Sequence, residues 1–376
     1  MHKILFFVTE FWQAGGQRYT YEIDRALDKN KFDVHFLCFR DLNSHPAWAD
    51  YYYEKHCELD SEVHFYSKFD SENILLKPSS IRSSIRRKKV FSKLNSFLEG
   101  FDTIMIQGEW VYSKFQEAIS ASNKAKCQIS ILNSISQFPD NYAKFNKNEA
   151  LKFISAFNKE AIEYELQEFT SSSHFHFPLA INLEESHEKW DVSFLGKKRI
   201  GIFTRLTKTK PIDPFLYAFQ ILHHYDSDFE LYIYGNGHPE EIGLADHIRY
   251  LNLEGSVKFL GHQGDILESA VRDEIGLTWF LGFHGMPAGF AGYDICSIGL
   301  PQLFWDLKPG SKINNNVIPM FSQIIELADY TLKLFQNTNE AIQLSEKQVN
   351  YVSEERDIAK FIGFLESYLV KESNND

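Results

Sequence analysis

The feature that most constrains the fold is a series of short runs that are apolar throughout, separated by stretches with helical periodicity. The runs "KILFFVT" (3–9), "DVHFLCF" (33–39), "DTIMIQ" (102–107) and "QISILNS" (128–134) do not alternate apolar with polar residues in the strict way of a half-exposed strand. They read as strands covered on both faces, the pattern of parallel sheets whose crossover helices pack on either side. Helical patterns separate them, notably "QRYTYEIDRALDK" after the first run. Beyond "HFHFPLAINL" the alternation pauses at the charged stretch "EESHEKWD" (184–191). It restarts with "KRIGIFT" (198–204), "ELYIYGNG" (230–237) and "SVKFLGH" (256–262). A doubly wound α/β layer built twice is the expected architecture. The predicted organisation is one Rossmann-like domain over residues 1–185 and a second over 196–355. A closing amphipathic helix over 356–376 follows from the spacing in "ERDIAKFIGFLESYLV".

Bulk properties narrow the function. A length of 376 residues suits two domains. The net charge of −12 opposes general nucleic-acid binding, which needs a basic surface to displace counterions. Four scattered cysteines form no C-x-x-C pair and point to a reducing compartment. No apolar run approaches the ~18 residues of a spanning helix, so a cytoplasmic protein is expected, soluble or peripheral on a membrane. No His, Cys or Asp cluster has metal-ligand spacing along the chain, and neither metal nor cofactor is expected.

Several motifs sit where such sheets bind ligands. In "WQAGGQRYTYEI", Gly15 and Gly16 lie between a strand and a helix, where backbone N–H groups and the positive helix end suit a phosphate. The alternative is an ordinary tight turn. In "GIFTRLTKTKPIDPFLYAFQIL", Arg205 and Lys210 follow a buried strand and are placed for a pyrophosphate, whereas Lys208 reads as a solvated loop charge. Gly235 and Gly237 close one later strand and Gly261 the next, where the crevice of the second domain should open. Each alone is a plain turn; together they line one rim, and Gly235, Gly237 and His262 are candidate donor contacts.

The order and spacing of these items resemble the retaining GT-B glycosyltransferases of the large family 4 type. Gly15-Gly16 resembles the family's N-terminal Gly-Gly loop, and "PLAIN" (178–182) the Pro-Asn-Gly-Ile-Asp close of its first domain. Arg205 and Lys210 match its diphosphate-binding pair, "YGNG" and "VKFLG" its Gly-x-Gly and Val-x-Phe-Leu-Gly strands, and "SIGLP" its Ala-x-Gly-Leu-Pro. The resemblance implies two Rossmann-like domains facing each other across a cleft, the C-terminal helix packing back on the first. It also implies a nucleotide-sugar donor as co-substrate and no metal.

In that family two glutamates stand eight positions apart just before the Gly-Leu-Pro. Here "HGMPAGFAGYDICSIGLP" (284–301) puts Asp294 at the second, which resembles the group that holds the nucleotide ribose. Met286 stands at the first, which in the family contacts the donor sugar, and a thioether cannot replace a carboxylate. Three alternatives stay open: His284 substitutes, backbone amides of residues 285–292 including Gly289 hold the donor, or the sugar grip is lost. A packed Gly/Ala corner is the plainer reading of the stretch. Family members often carry a histidine in the first domain. The corresponding places here offer Glu109 in "IQGEW" and Asn133 in "LNSISQF" on the acceptor side. Glu109 is a candidate base, or a rim carboxylate.

The segment "LLKPSSIRSSIRRKKVFSKLNSFLE" (75–99) holds seven cations and no acid before Glu99. Ile81, Ile85, Phe91, Leu94 and Leu98 recur at helical spacing, so residues 81–98 read as an amphipathic helix for an anionic membrane surface. A solvated helix and a collector of anionic acceptors are the alternatives. The resulting expectation is a retaining, metal-independent hexosyltransferase-type enzyme, acting on a glycan or lipid-linked acceptor in bacterial surface polysaccharide, lipopolysaccharide or glycoconjugate synthesis. The rivals are a non-catalytic GT-B glycan-binding or partner-stabilising subunit, which Met286 favours and the Arg205/Lys210 pair opposes, and, more weakly, a sugar-nucleotide epimerase.

Overall fold

The computed structural model describes residues 1–45, 49–77, 84–120, 127–132, 151–156, 174–183, 187–283, 286–287, 289–307 and 317–374. The chain divides into two compact units, Met1–Ala180 together with Ile358–Asp376, and Ile181–Asp357.

The first unit is built on β1 (His2–Val8), β2 (Phe32–Cys38), β3 (Glu62–Phe65), β4 (Thr103–Gln107), β5 (Cys127–Leu132), β6 (Leu151–Ser155) and β7 (His174–His176). Their order is β3-β2-β1-β4-β5-β6-β7, and every pairing among them is parallel. In β1, Ile4, Leu5, Phe6 and Phe7 have no exposed surface, which is why the run is apolar on both faces. Each such side chain contributes about 1.5–3 kcal/mol on burial. Crossing helices include α1 (Gly15–Ala26), α2 (Tyr51–Glu58), α3 (Ser84–Leu98) and α4 (Glu109–Ser120).

The C-terminal helix Ile358–Asn374 belongs to this unit. Leu365 and Leu369 are fully buried, Tyr368 stacks on Phe175 at 4.7 Å, and Glu366 accepts a hydrogen bond from the Asp28 N–H at 2.9 Å.

The helix α3 corrects one expectation. Its apolar stripe is not free for a membrane, because Leu94 and Leu98 are core residues and Phe91 packs on the same cluster. Arg87 is also committed, donating to the carbonyls of Ile74 and Lys77 at 2.8 and 2.6 Å. What faces outward is Arg86, Lys88, Lys89 and Lys93, beside the exposed Ile85. Ile81 lies outside the described residues.

The second unit repeats the plan with β8 (Arg199–Phe203), β9 (Glu230–Tyr234), β10 (Val257–Gly261), β11 (Leu277–Phe283), β13 (Gln302–Asp306) and β14 (Met320–Phe321), while β12 (Met286–Pro287) folds back antiparallel on β11. The order is β10-β9-β8-β11-β13-β14. Its described helices are α5 (Asp213–Tyr225), α6 (Leu244–Tyr250), α7 (Ile266–Arg272), α8 (Phe290–Ser297), α9 (Ile324–Gln336) and α10 (Thr338–Glu355). The unit starts at Ile181, ahead of the charged stretch, because Ile181 is tied to its end: its N–H donates to the Arg356 carbonyl at 2.8 Å and it bridges Asp357. Arg356 in turn lies 5.0 Å from the Tyr293 ring centroid and donates to the Tyr351 hydroxyl at 2.7 Å.

Beneath the first sheet's outer strands, α1 presents a fully buried Asp24. The Ser61 hydroxyl donates to it at 2.8 Å, His56 Nδ1 lies 2.6 Å away, and Lys29 pairs with it as well. Removing one partner of a buried ionic network leaves charge uncompensated, at a cost of about 3–5 kcal/mol. Asp24→Ala is therefore expected to lower unfolding free energy by about that amount in denaturant titration. A loss below about 1 kcal/mol would mean the network is not stabilising.

Candidate active site

In an open α/β sheet, ligands bind beyond the carboxyl ends of the strands where the strand order reverses. In the second unit that point lies between β8 and β11. A cavity of about 60 Å³ is found there, lined by Phe203 and Thr204 from the end of β8, Trp279 to Leu281 from β11, Lys210, and Gly289, Ala291 and Gly292 from the start of α8. Aromatic walls (Trp279, Phe280) meet one ammonium and the positive end of a helix, whose first-turn N–H groups have no partner within the helix.

Lys210 is half-buried and Arg205 exposed. Burial, followed by the charge of Arg205, lowers the Lys210 pKa from its ordinary value. An anion at this spot would relieve both effects. Gly289 caps α8 at φ +141°, a conformation that L side chains rarely adopt, so glycine is needed there for the entry of the helix.

Gly235 and Gly237 are required by the chain's own packing. A Cβ on Gly235 would collide with the Thr204 carbonyl oxygen, and one on Gly237 would stand 2.5 Å from the Leu206 carbonyl oxygen. The turn after β9 lies flat against the turn after β8, with Thr204 N–H donating to Tyr234 at 2.9 Å and Leu206 N–H to Asn236 at 2.7 Å. These glycines therefore fix the backbone that carries Arg205. His262 is exposed at the end of β10 and does not line the cavity.

The small-residue stretch is not one loop. Met286 lies in β12, paired across from Phe283, and residues 290–297 form α8. Asp294 is buried in that helix, 9% exposed, and is not among the residues lining the cavity. His284 lies outside the described residues, as does the side chain of Met286.

In the first unit the strand order reverses between β1 and β4. Gly15 and Gly16 form the first turn of α1 rather than a loop before it. A Cβ on Gly15 would meet nothing within 4 Å, so packing inside the chain does not demand a glycine there. Glu109 opens α4 just after Gly108 (φ +82°), at the end of β4; its side chain, like all of Asn133, lies outside the described residues.

Glu10 belongs to none of the sequence motifs but stands at the end of β1. Its carboxylate accepts from the Gln17 amide at 2.8 Å and lies 3.4 Å from Arg40, whose guanidinium sits 5.1 Å from the Trp12 ring centroid. Burial raises the Glu10 pKa above its usual value, with Arg40 and Gln17 pulling the other way. An acid directly after the first apolar run (3–9) was the available signal. Elsewhere, among the described residues, one potential ligand atom each of His35, Glu62 and His64 lie within 4.8 Å of one another.

No protein-family model matches the chain, and no curated protein sequence matches it. Solved structures do. Anabaena HepE in complex with UDP and glucose superposes with a TM-score of 0.75 at 15% identity, over 99% of this chain and 100% of that one. TarM gives 0.74 at 13% identity, over 100% and 99%. Sucrose-phosphate synthase from Thermosynechococcus elongatus gives 0.69 at 14% identity, over 98% and 100%. The shared fold is the GT-B architecture of these glycosyltransferases.

The glycines separate by experiment. Gly235→Ala is expected to cost about 3 kcal/mol or more, since backbone must move, whereas Gly15→Ala should stay within about 0.5 kcal/mol of the parent. Thermal unfolding of the two variants checks this; equal losses would overturn the distinction.

Proposed function

We propose that the chain is a glycosyltransferase that moves a sugar from a UDP-linked donor to a glycan or lipid-linked acceptor. The observation that carries this reading is the convergence of Lys210, Thr204 and the start of α8 on one cavity at the strand-order reversal, with Arg205, next to Thr204 but outside the lining, close enough to act on Lys210 by its charge. That set of groups favours an anion with a flat, partly apolar neighbour, as a nucleoside diphosphate is. The fold likeness adds support, since Anabaena HepE was solved in complex with UDP and with UDP-glucose.

Chemically, the two cations would stabilise charge developing on the departing diphosphate, which in a preorganised site is worth far more than in water. Positive charge supplied by side chains is the reason this reading uses no metal. Asp294 would hold the nucleotide ribose and retention of anomeric configuration would accompany transfer without a protein nucleophile, both on the strength of the resemblance. In the first unit, Glu10 and Glu109 are the acceptor-side acids, each at the end of a strand flanking the reversal. The basic outer face of α3 (Arg86, Lys88, Lys89, Lys93) suits an anionic acceptor or anionic lipid, by charge rather than by apolar insertion. A bacterial surface polysaccharide or glycoconjugate is the acceptor class that agrees with it. The alternative of a non-catalytic binding subunit rests on Met286, which cannot act as an acid.

Calorimetric titration with UDP tests the reading. Tight binding that weakens about ten- to a hundredfold in Arg205→Ala and in Lys210→Ala is expected. Absence of UDP binding in the parent protein would overturn it, and binding without any turnover across common UDP-sugars and acceptors would leave the subunit reading. Because the free-state Lys210 pKa is lowered and a bound anion would raise it, binding takes up a proton between those two values. Affinity should thus be constant at lower pH and fall as pH rises through the free-state value; an affinity flat throughout, or rising with pH, contradicts the role given to Lys210.

A further inference from the structure

The outer edge of the first sheet carries a repeated pattern, "DVHF" (33–36) on β2 and "EVHF" (62–65) on β3. The strands are parallel, with His35 opposite Glu62 and Leu37 opposite His64. Side chains two apart share a face, so Asp33, His35, Glu62 and His64 all lie on one face of the edge pair. From this juxtaposition we propose that His35, His64 and Glu62 form a binding site for a transition-metal dication of the zinc type.

The distances fit. Glu62 lies between the two imidazoles, with Oε2 3.3 Å from His35 Nδ1 and Oε1 3.5 Å from His64 Nε2. Zinc–nitrogen and zinc–oxygen bonds of about 2.0–2.2 Å in a tetrahedron require ligand atoms roughly 3.3–3.5 Å apart. The rings are parallel, 6° between planes, with centroids 5.8 Å apart. They are braced by edge-to-face contacts, His35 on Phe101 and His64 on Phe97. Two imidazoles and a carboxylate are a donor set that suits zinc and leaves a fourth position for water.

A second observation points the same way. His35 is 8% exposed, and neither of its ring nitrogens has a directed hydrogen bond despite the nearby oxygens. Nδ1 faces Glu62 Oε2 at 3.3 Å and Nε2 faces Asp33 Oδ1 at 3.0 Å, so alignment rather than proximity is unmet, and a metal on Nδ1 would give that nitrogen a directed bond. With Nδ1 on a metal, Nε2 would carry the proton, and Asp33 Oδ1, 3.0 Å away, is the carboxylate placed to receive it. That is the usual support of a metal-bound histidine. Entry is open, because Glu62 is exposed and β3 is the sheet's edge. The metal would fasten β3 to β2 and so couple binding to folding.

Zinc titration of the chelator-stripped full-length protein, in competition with a chromophoric chelator, tests the site. One Zn²⁺ per chain is expected, with affinity at least about tenfold lower in Glu62→Gln and His64→Gln and about tenfold lower in Asp33→Asn. Zinc should also raise the melting temperature of the parent and not that of Glu62→Gln. Since Glu62 is exposed, that variant keeps the test independent of folding defects at the buried His35. No stoichiometric zinc binding by the parent, or equal binding by parent, Glu62→Gln and His64→Gln, overturns the proposal.

Discussion

The catalytic proposal depends on one electrostatic constraint: two cations are held near each other, one of them partly withdrawn from water. Like charges and burial both oppose the protonated form of Lys210. The fold tolerates that opposition because the turn bearing Arg205 is clamped by the turn after β9. Backbone hydrogen bonds from Thr204 and Leu206, and the two glycines that let the chains touch, set the clamp. Preorganised charge of this kind does not have to reorganise when an anion forms, and the proposed function rests on that property.

A similar logic runs through the first unit at lower intensity. Glu10 is a partly buried acid beside Arg40 and Gln17, next to the first turn of α1. Asp24, deeper in the same unit, is fully compensated by Lys29, His56 and Ser61. The contrast separates a group whose charge is spent on stability from one whose ionisation is pulled in both directions. The latter kind clusters at functional sites.

Much of the fold was legible in the residues. Continuous apolar runs such as "KILFFVT" could only be strands covered on both sides, and their spacing left room for crossover helices. Among the strands that escaped notice, two are instructive. Glu62–Phe65 is a short edge strand whose Glu62 and His64 interrupt the apolar run, and Leu277–Phe283 carries a tryptophan and a glycine that blur its run. The apolar stripe of α3 was visible, but periodicity alone cannot say whether Leu94 and Leu98 face a membrane or the chain's own core; packing chose the core. At Gly235 and Gly237 the sequence could not show the contact with the turn after β8, because a glycine's signal is the same whether the close neighbour is a ligand or another turn of the chain.

By itself the sequence determined the layered α/β plan, repeated twice, and the order of the motifs along it, since both follow from hydrophobic period and local turn chemistry. Tertiary structure alone decided which of those motifs meet. Lys210 reaches the start of α8 only because β8 and β11 are neighbours across the reversal of strand order. His35 and Glu62, separated by a helix in the chain, are directly opposed only because β2 and β3 pair in that register. Proximity of this kind is a property of sheet order and register, and no local spacing encodes it.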